Sequence, residues 1–441
     1  MQSGDSDRHR SHLVMNRIFF GLIAIAFTWT AWRQLGVGPQ DLGGAAEGVA
    51  TAPMDALTTS IFDGARKSVD LAFKFVGGMT LFLGLMKIVE VGGGLLIAAR
   101  LIRPFMVRVF PDVPADHPAM GAMIMNLAAN ALGLGNAATP FGIKAMQELD
   151  KLNPHKGTAT NAMALFLAIN TSSVTLLATG TVVMRRELGS LDAAGIIGTT
   201  LFATCFSTAA GILGCKLLER FSPRPPTTND LAPSEQEVSE APYPLWVSIL
   251  ALTTLVFVFI PLSILYGDRL STWLVPTLVF GFTAFGMARG VRVYETFIDG
   301  AKEGFHVAVR IIPYLVAILV SVAMLTSSGA LEAFTALVGP FTARVGLPAE
   351  ALPMALIRPL SGSGATGVMM ATMQNPTTGP DTYVGYLVST LAGSSETTFY
   401  VLAVYFGAVQ VQRMRHTLAA GLIADAFGII GSIVAVSLYL R

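Results

Sequence analysis

Phe62-Asp63-Gly64-Ala65-Arg66-Lys67 returns 236 residues later as Ile298-Asp299-Gly300-Ala301-Lys302-Glu303. At the same spacing, Arg103-Pro104-Phe105 is answered by Gly339-Pro340-Phe341. Gly133-Leu134-Gly135 is answered by Gly362-Ser363-Gly364 at a spacing of 229, and Thr171-Ser172-Ser173-Val174-Thr175 by Gly393-Ser394-Ser395-Glu396-Thr397 at 222. Four landmarks in one order, with spacing that drifts slowly, mark two structural repeats.

The material between the landmarks is apolar. Of 441 residues 53% are hydrophobic and 13% charged, against roughly 25% charged in soluble domains. A spanning helix needs about 20 mostly apolar residues. Candidates are Asn16–Trp32, Val69–Val89, Gly157–Met184, Ala193–Leu218, Leu245–Tyr266, Leu270–Met287, Val307–Thr326, Tyr383–Ala408 and Thr417–Leu440. Arg8, Arg10 and Arg17 stand at the start of the first, as in a signal peptide. No small-residue cleavage site follows, and Trp29 and Trp32 read as an interfacial anchor, so an uncleaved helix is expected. Two further apolar stretches, Pro118–Met146 and Ala351–Met373, are broken by glycine and proline.

Ser222–Pro242 is different. It is rich in Pro, Ser, Thr and acids, has no apolar period and reads as a flexible linker. The expected division is a first membrane repeat over 1–221, the linker over 222–242 and a second membrane repeat over 243–441. Lys and Arg gather on cytoplasmic loops. Placing the amino terminus, Arg100, Arg103, Arg108, Lys151, Lys156 and the linker inside makes the second repeat start from the opposite side to the first. The extra helix Leu270–Met287 supplies the inversion. Arg66, Lys67, Arg185 and Arg186 fall on the wrong side of this scheme. The fold class expected is an all-α, polytopic transmembrane helical protein with two inverted repeats containing broken or re-entrant helices.

The breaks carry the chemistry. Asn126–Pro140 contains Asn130, Gly133, Gly135, Asn136 and Thr139; its counterpart runs Arg358-Pro359-Leu360-Ser361-Gly362-Ser363-Gly364. Glycine and proline at membrane depth free backbone groups that lipid cannot satisfy, so these face protein, water or a ligand. Half-helix N-termini beyond the break aim N–H groups at that space. Packing through small residues is the plainer account of glycine alone; the clustered Asn and Thr favour a site. The helix after each break is polar too, with Asn170, Ser172 and Ser173 in one repeat and Ser394, Ser395 and Glu396 in the other. Hydroxyls can bond back to helix carbonyls, but a mid-bilayer carboxylate is costly unless paired or solvated. Arg358 and Asp425 are the other intramembrane charges. A structural ion pair of Arg358 with Glu396 or Asp425 and a transport role are both open, and they overlap because a pair can also gate. The candidate substrate-binding set is Asn130, Gly135, Asn136, Thr139, Asn170, Ser172, Ser173, Arg358, Ser361, Ser363, Ser394, Ser395, Glu396 and Asp425.

Other chemistries lack support. Net charge is +1, which gives no bulk attraction to nucleic acid. Cys205 and Cys215 lie ten residues apart in one apolar segment and read as filler. Asp112, Asp116 and His117 sit between prolines; a rigid interfacial turn is preferred there to a metal loop. No nucleophile elbow, phosphate loop, HExxH or CxxC is present in the sequence. No enzyme activity, catalytic residue, metal or cofactor is expected.

At these residues the chain resembles a known family. FPDVPADHPAMG, NALGLGNAATPFGIKAM and LAINTSSVTL in the first half are similar to spore maturation protein A. VYETFIDGAKEGF, ALIRPLSGSGATGVM, LAGSSETTFYVLAVYFGAV and GLIADAFG in the second are similar to spore maturation protein B. The chain looks like a fusion of the two, departing from them at Leu270–Met287 and at the linker. The resemblance implies the nucleoside recognition, or Gate, domain, shared with concentrative nucleoside transporters and ferrous iron transporter B, and hence a transporter-like core. The expectation is a bacterial inner-membrane protein moving a small polar solute, nucleoside-like or an ion, through a midplane site. The alternative is a non-transporting membrane factor in envelope or spore maturation. The partners expected are the lipid bilayer and the solute or a coupling ion, with no nucleic acid; a homo-oligomer is compatible with the sequence.

Overall fold

The structure, a computed structural model, describes residues 4–36, 52–133, 135–173, 175–176, 178–222, 243–265 and 267–440. The linker expected at Ser222–Pro242 falls, but for Ser222, outside the described residues.

The first half begins with α1 (Gly4–Gln34), α2 (Pro53–Val91) and α3 (Gly94–Val109). A hairpin follows, α4 (Pro118–Ala131) and α5 (Gly135–Lys151). Then come α6 (Asn161–Ser172), α7 (Thr179–Glu187) and α8 (Ile196–Glu219). A middle segment holds α9 (Leu245–Thr254), a π turn at Leu255–Phe259 and α10 (Ile260–Leu265). The second half repeats the order: α11 (Gly267–Ala288), α12 (Val293–Ser328), α13 (Ala330–Thr342), α14 (Leu352–Ile357), α15 (Gly362–Gln374), α16 (Tyr383–Ser394), α17 (Thr398–Ala408) and α18 (Thr417–Tyr439). Among the described residues the lone extended pairing is the bridge Thr158–Arg413.

Local chemistry repeats with the elements. Thr160 caps α6 and Thr382, 222 residues on, caps α16, each accepting a backbone N–H on its hydroxyl. Gly93 and Gly329, 236 apart, both take φ near +80°, a conformation glycine adopts without strain. There α2 bends into α3 by 68° and α12 into α13 by 78°. The carbonyl freed at each bend is capped by an arginine: Arg289 Nε donates to Gly92 O at 2.9 Å and Arg33 Nη1 to Ser328 O at 2.8 Å.

Equivalent helices lie side by side and antiparallel. On α2, Gly64 faces Val320 and Ala323 of α12, whereas Gly84 faces Phe297 and Gly300. On α8, Ala203 meets Gly431 of α18, Ser207 donates to Ala424 O at 2.7 Å, and Gly214 meets Ile423. Rising numbers on one helix meet falling numbers on the other in both pairs, so the repeats are inverted. Gly300 and Gly304 form a small-xxx-small face; a Cβ on Gly300 would sit 2.6 Å from Leu83 O.

Two expectations change. Leu270–Met287 is not the inverting helix. Within the second half α11 supplies Arg289 to the bend at Gly92 and packs on α2, just as α1 supplies Arg33 and packs on α12. The unmatched span is α9–α10, and this odd crossing inverts the second half. Gly157–Met184 and Tyr383–Ala408 are also not continuous helices, since each unwinds midway. Serine and threonine side chains compete with the helix for backbone partners, and both interruptions fall on such runs.

Arg185 no longer counts against the topology. It is fully buried, and its guanidinium donates to Pro380 O at 2.6 Å, Asp192 O at 3.2 Å and Asp381 Oδ1 at 3.1 Å while lying 4.1 Å over the Tyr386 ring. A paired, enclosed charge is not a free loop cation.

Candidate functional site

The α4–α5 and α14–α15 hairpins are the two re-entrant pieces. Ser361 ends the second turn-back by capping α15, its Oγ accepting Gly364 N–H at 3.0 Å, with Ser363 Oγ 3.4 Å away. Each hairpin tip holds the broken helix of its own repeat. Leu176 N–H donates to Ala131 O at 2.9 Å, and Phe399 N–H to Pro359 O at 3.1 Å.

The two interruptions then meet. Glu396, in the unwound segment 395–397, donates its backbone N–H to Thr171 O at 2.8 Å. Gly393 packs on Thr200 and, at the mirrored place, Gly421 packs on Thr171 and Thr398. The crossing lies between α8 and α18, where helix backbones cannot satisfy one another, and hydroxyls fill that role. Thr204 Oγ1 donates to the carbonyls of Ser172 and Ser173, and Thr208 Oγ1 to Ser172 Oγ at 2.8 Å. Ser173 has φ of +37°, the local strain of a chain leaving a helix.

The residues expected to form the site divide in two. In the first repeat Asn130 Nδ2 donates to Asn170 Oδ1 at 3.1 Å, joining hairpin to broken helix. Gly135 opens α5 and Thr139 is half-buried on it; the side chain of Asn136 lies outside those described. In the second repeat Arg358, Ser394, Ser395 and Asp425 line one cavity of about 10 Å³, space for about one water molecule. Arg358 Nη1 donates to Thr397 Oγ1 at 3.3 Å; Thr398 Oγ1 donates to Asp425 Oδ2 at 2.6 Å. Of the two readings left open for Arg358, a direct ion pair within 4.0 Å with Glu396 or Asp425 is not found among the described residues; Arg358 and Asp425 each bond a threonine. Glu396 is half-buried and its carboxylate has no bonded partner among the described residues.

Thr204, Thr208, Thr397 and Thr398 stand at the crossing in addition to the residues expected there. Thr204 and Thr208, four apart in a mostly apolar helix, share one face, and that spacing is the signal in the sequence. Asn126, outside the expected set, is buried and donates to Ala138 O at 2.7 Å and to Tyr405 OH at 3.2 Å. The proline-flanked loop is used locally, His117 Nδ1 capping α4 and Asp116 pairing with Arg103 at 3.3 Å. Cys205 and Cys215 are free thiols.

Inverted repeats, re-entrant hairpins and crossed unwound segments define a multi-pass membrane protein with a transporter-like core. The chain belongs to the Gate family, described as nucleoside recognition, which matches residues 72–215 and 308–411. It is 44% identical over 169 residues to spore maturation protein B of Bacillus subtilis (strain 168), a match covering 38% of this chain and 94% of that protein. It is likewise 44% identical over 154 residues to spore maturation protein A of the same organism, covering 35% of this chain and 79% of that one. Among solved structures, a variant of CNTnw in an outward-facing state aligns over 99% of this chain and 86% of its own, at 13% identity and a TM-score of 0.39.

Proposed function

We propose that the chain is a secondary transporter or channel for a small polar solute, nucleoside-like or an ion, in the bacterial inner membrane. Its working site is the crossing of the two unwound segments between a first repeat over 1–221 and a second over 243–441, the second being entered through the unmatched α9–α10. Asn130, Asn170, Ser172 and Ser173 supply neutral hydrogen-bonding groups from one side; Arg358, Ser361, Ser363, Ser394, Ser395, Glu396 and Asp425 supply charge and hydroxyls from the other. Gly135, Asn136 and Thr139 belong to the hairpin that closes over them. One observation carries this reading. The Glu396 carboxylate stands bond-free among the described residues where two broken helices meet, and an intramembrane ionisable group marks a solute or ion path by default.

The test is uptake by purified protein in liposomes, with nucleosides, nucleobases, amino acids, dicarboxylates and metal ions offered in turn. Concentration-dependent uptake of one class supports the reading; silence for all, with no ligand raising thermal stability, removes it. The names of the two relatives favour a second reading, a non-transporting factor in spore or envelope maturation. Such a factor stays folded and silent in both assays.

A further inference from the structure

Two arginines hold equivalent places at opposite ends of the crossed half-helices. Thr160 caps α6 and Thr382 caps α16. In each case an arginine of the other repeat grips a carbonyl shortly before the cap. Arg185, in the last turn of α7, donates from Nη1 to Pro380 O at 2.6 Å. Arg415, past the end of α17, donates from Nη1 to Ala159 O at 3.1 Å. Each has further anchors. Arg185 also reaches Asp381 Oδ1, Asp192 O and Ser389 Oγ. Arg415 reaches Asn161 Oδ1 at 2.8 Å, Ser222 O at 2.8 Å and Ser222 Oγ at 3.2 Å, and so joins α6, α17 and the end of α8. The backbone beside it pairs as well, Gln412 N–H donating to Gly157 O at 2.8 Å and Ala159 N–H to Arg413 O at 3.0 Å. Arg415 itself has φ of +52°, a left-handed conformation uncommon for a residue with a side chain and one that its surroundings must hold in place.

The crossing needs holds of this kind. α6, α7, α16 and α17 have 12, 9, 12 and 11 residues, too few to be stable helices alone. The bond from Glu396 N–H to Thr171 O ties the interruptions at the centre. A tie at the centre fixes position and leaves the angle between the rods to their outer ends, about 18 Å away along α6 or α16 at 1.5 Å per residue. Those ends are where the arginines sit, one at each face of the inverted pair. Resting on the transporter reading above, we propose that Arg185 and Arg415 are paired positioning residues of the solute site. Each pins one end of the crossed half-helices, and together they keep the two unwound segments in register. A binding constellation tolerates errors of only about 0.5 Å, so loosening either end degrades the site without removing a group that touches the solute.

Cysteine reactivity in the purified full chain tests the assignment, in a background lacking Cys205 and Cys215. Ser173→Cys reports the crossing, and Met123→Cys, fully buried on α4, reports the rest of the core. Iodoacetamide is applied well below the melting temperature, and the ratio of the two labelling rates is read. Arg415 is half-buried, so its loss strands less charge than that of Arg185. Arg415→Gln should raise the ratio at least tenfold, and Arg415→Lys, which keeps the charge and part of the bonding, should restore most of the protection. Asp381→Ala, at the other end, should raise the ratio too. Arg103→Gln, which breaks the pair with Asp116, should leave it unchanged. Should Arg415→Gln not fold, Asn161→Ala removes one of the bonds to Arg415 and should raise the ratio by a smaller factor. Equal acceleration at both cysteines makes the arginines ordinary stability elements and overturns the proposal. So does a ratio that no folded variant at either end moves, and liposome uptake alongside it leaves the transporter reading standing. A ratio that behaves as stated with no uptake of any solute removes the transporter reading alone.

Discussion

The backbone N–H of Glu396 donates to the carbonyl of Thr171 at 2.8 Å, tying the interruption of one repeat to the interruption of the other. The bond spans the inverted halves at the place where neither helix can satisfy its own backbone. The surrounding helices come close at the same place. Gly393 stands where a Cβ would lie 2.7 Å from Thr200, and Gly421 where one would lie 2.9 Å from Thr398.

Enlarging either glycine forces this crossing apart. Gly393→Val should destabilise the protein by about 1–3 kcal/mol, the usual range for overpacking. Gly407, with open space around it, is the control. Thermal unfolding in detergent should show a clear loss for Gly393→Val and a much smaller one for Gly407→Ala.

Inversion makes a prediction about sidedness. Asp63 lies beside the 320–323 stretch of α12 and Asp299 beside the 83–87 stretch of α2. They therefore sit at opposite ends of one antiparallel pair, roughly 30 Å apart at 1.5 Å per residue. Single cysteines at the two positions, in a background lacking Cys205 and Cys215, should react with an impermeant reagent from opposite faces of the membrane. Reaction of both from one face contradicts the antiparallel arrangement.

The repeats and their breaks at Gly133–Gly135 and Ser361–Gly364 were legible because glycine and proline in apolar runs have few other uses. The inversion was legible from Lys and Arg counts, although Arg185 and Arg186 spoke against it. Pairing of Arg185 with Asp381, nearly two hundred residues away, is a tertiary fact that no local count contains. Continuous helices were expected over Gly157–Met184 and Tyr383–Ala408 because apolar length fixes that a segment spans, not that it stays wound. The role of α11 was hidden for a related reason. Its kinship with α1 rests on position and on Arg33 and Arg289, with no shared motif in the sequence.

The Arg185 cluster should be a stability element. Removing a partner strands a charge that has no exposure at all; breaking a fully buried pair costs about 3–5 kcal/mol. The Asp381 side chain is 35% exposed, which lowers the expected cost of Asp381→Ala to about 1–3 kcal/mol. Denaturant titration should find Arg185→Gln and Asp381→Ala both destabilised, and the double variant less so than the sum, since the two changes remove one shared interaction.

His416 should confer a pH dependence. It precedes α18, is buried, and has both ring nitrogens without partners among the described residues. Burial, and then the neighbouring Arg415 charge, holds its pKa below the usual 6.5. The unfolded chain therefore takes up a proton that the fold resists. Its contribution is complete above pH 6.5 and declines as the pH falls below that value. Melting temperature should drop between pH 7.5 and 5.0, and His416→Gln should drop by less over the same interval. Equal slopes would assign the acid sensitivity elsewhere, with His117, also lowered by burial, the next residue to change.

Glu396 allows structure and function to be separated. Its backbone holds the crossing through Thr171, while its carboxylate bonds to nothing among the described residues and is half-buried. Glutamine keeps the backbone bond and the shape, so Glu396→Gln should insert, purify and melt like the wild type. A carboxylate that merely balanced the Arg358 charge would behave otherwise. Its removal would leave that guanidinium with one carboxylate in place of two, and abundance and stability would fall together. In a solute site, stability stays and binding goes: ligand-dependent stabilisation or liposome uptake should fall at least tenfold, the cost of about 1.4 kcal/mol in binding. Asn130→Ala, which gives up one neutral bond to Asn170, should lose less than that. Normal stability together with unchanged binding and uptake in Glu396→Gln would take this residue out of the site and leave the crossing a structural joint.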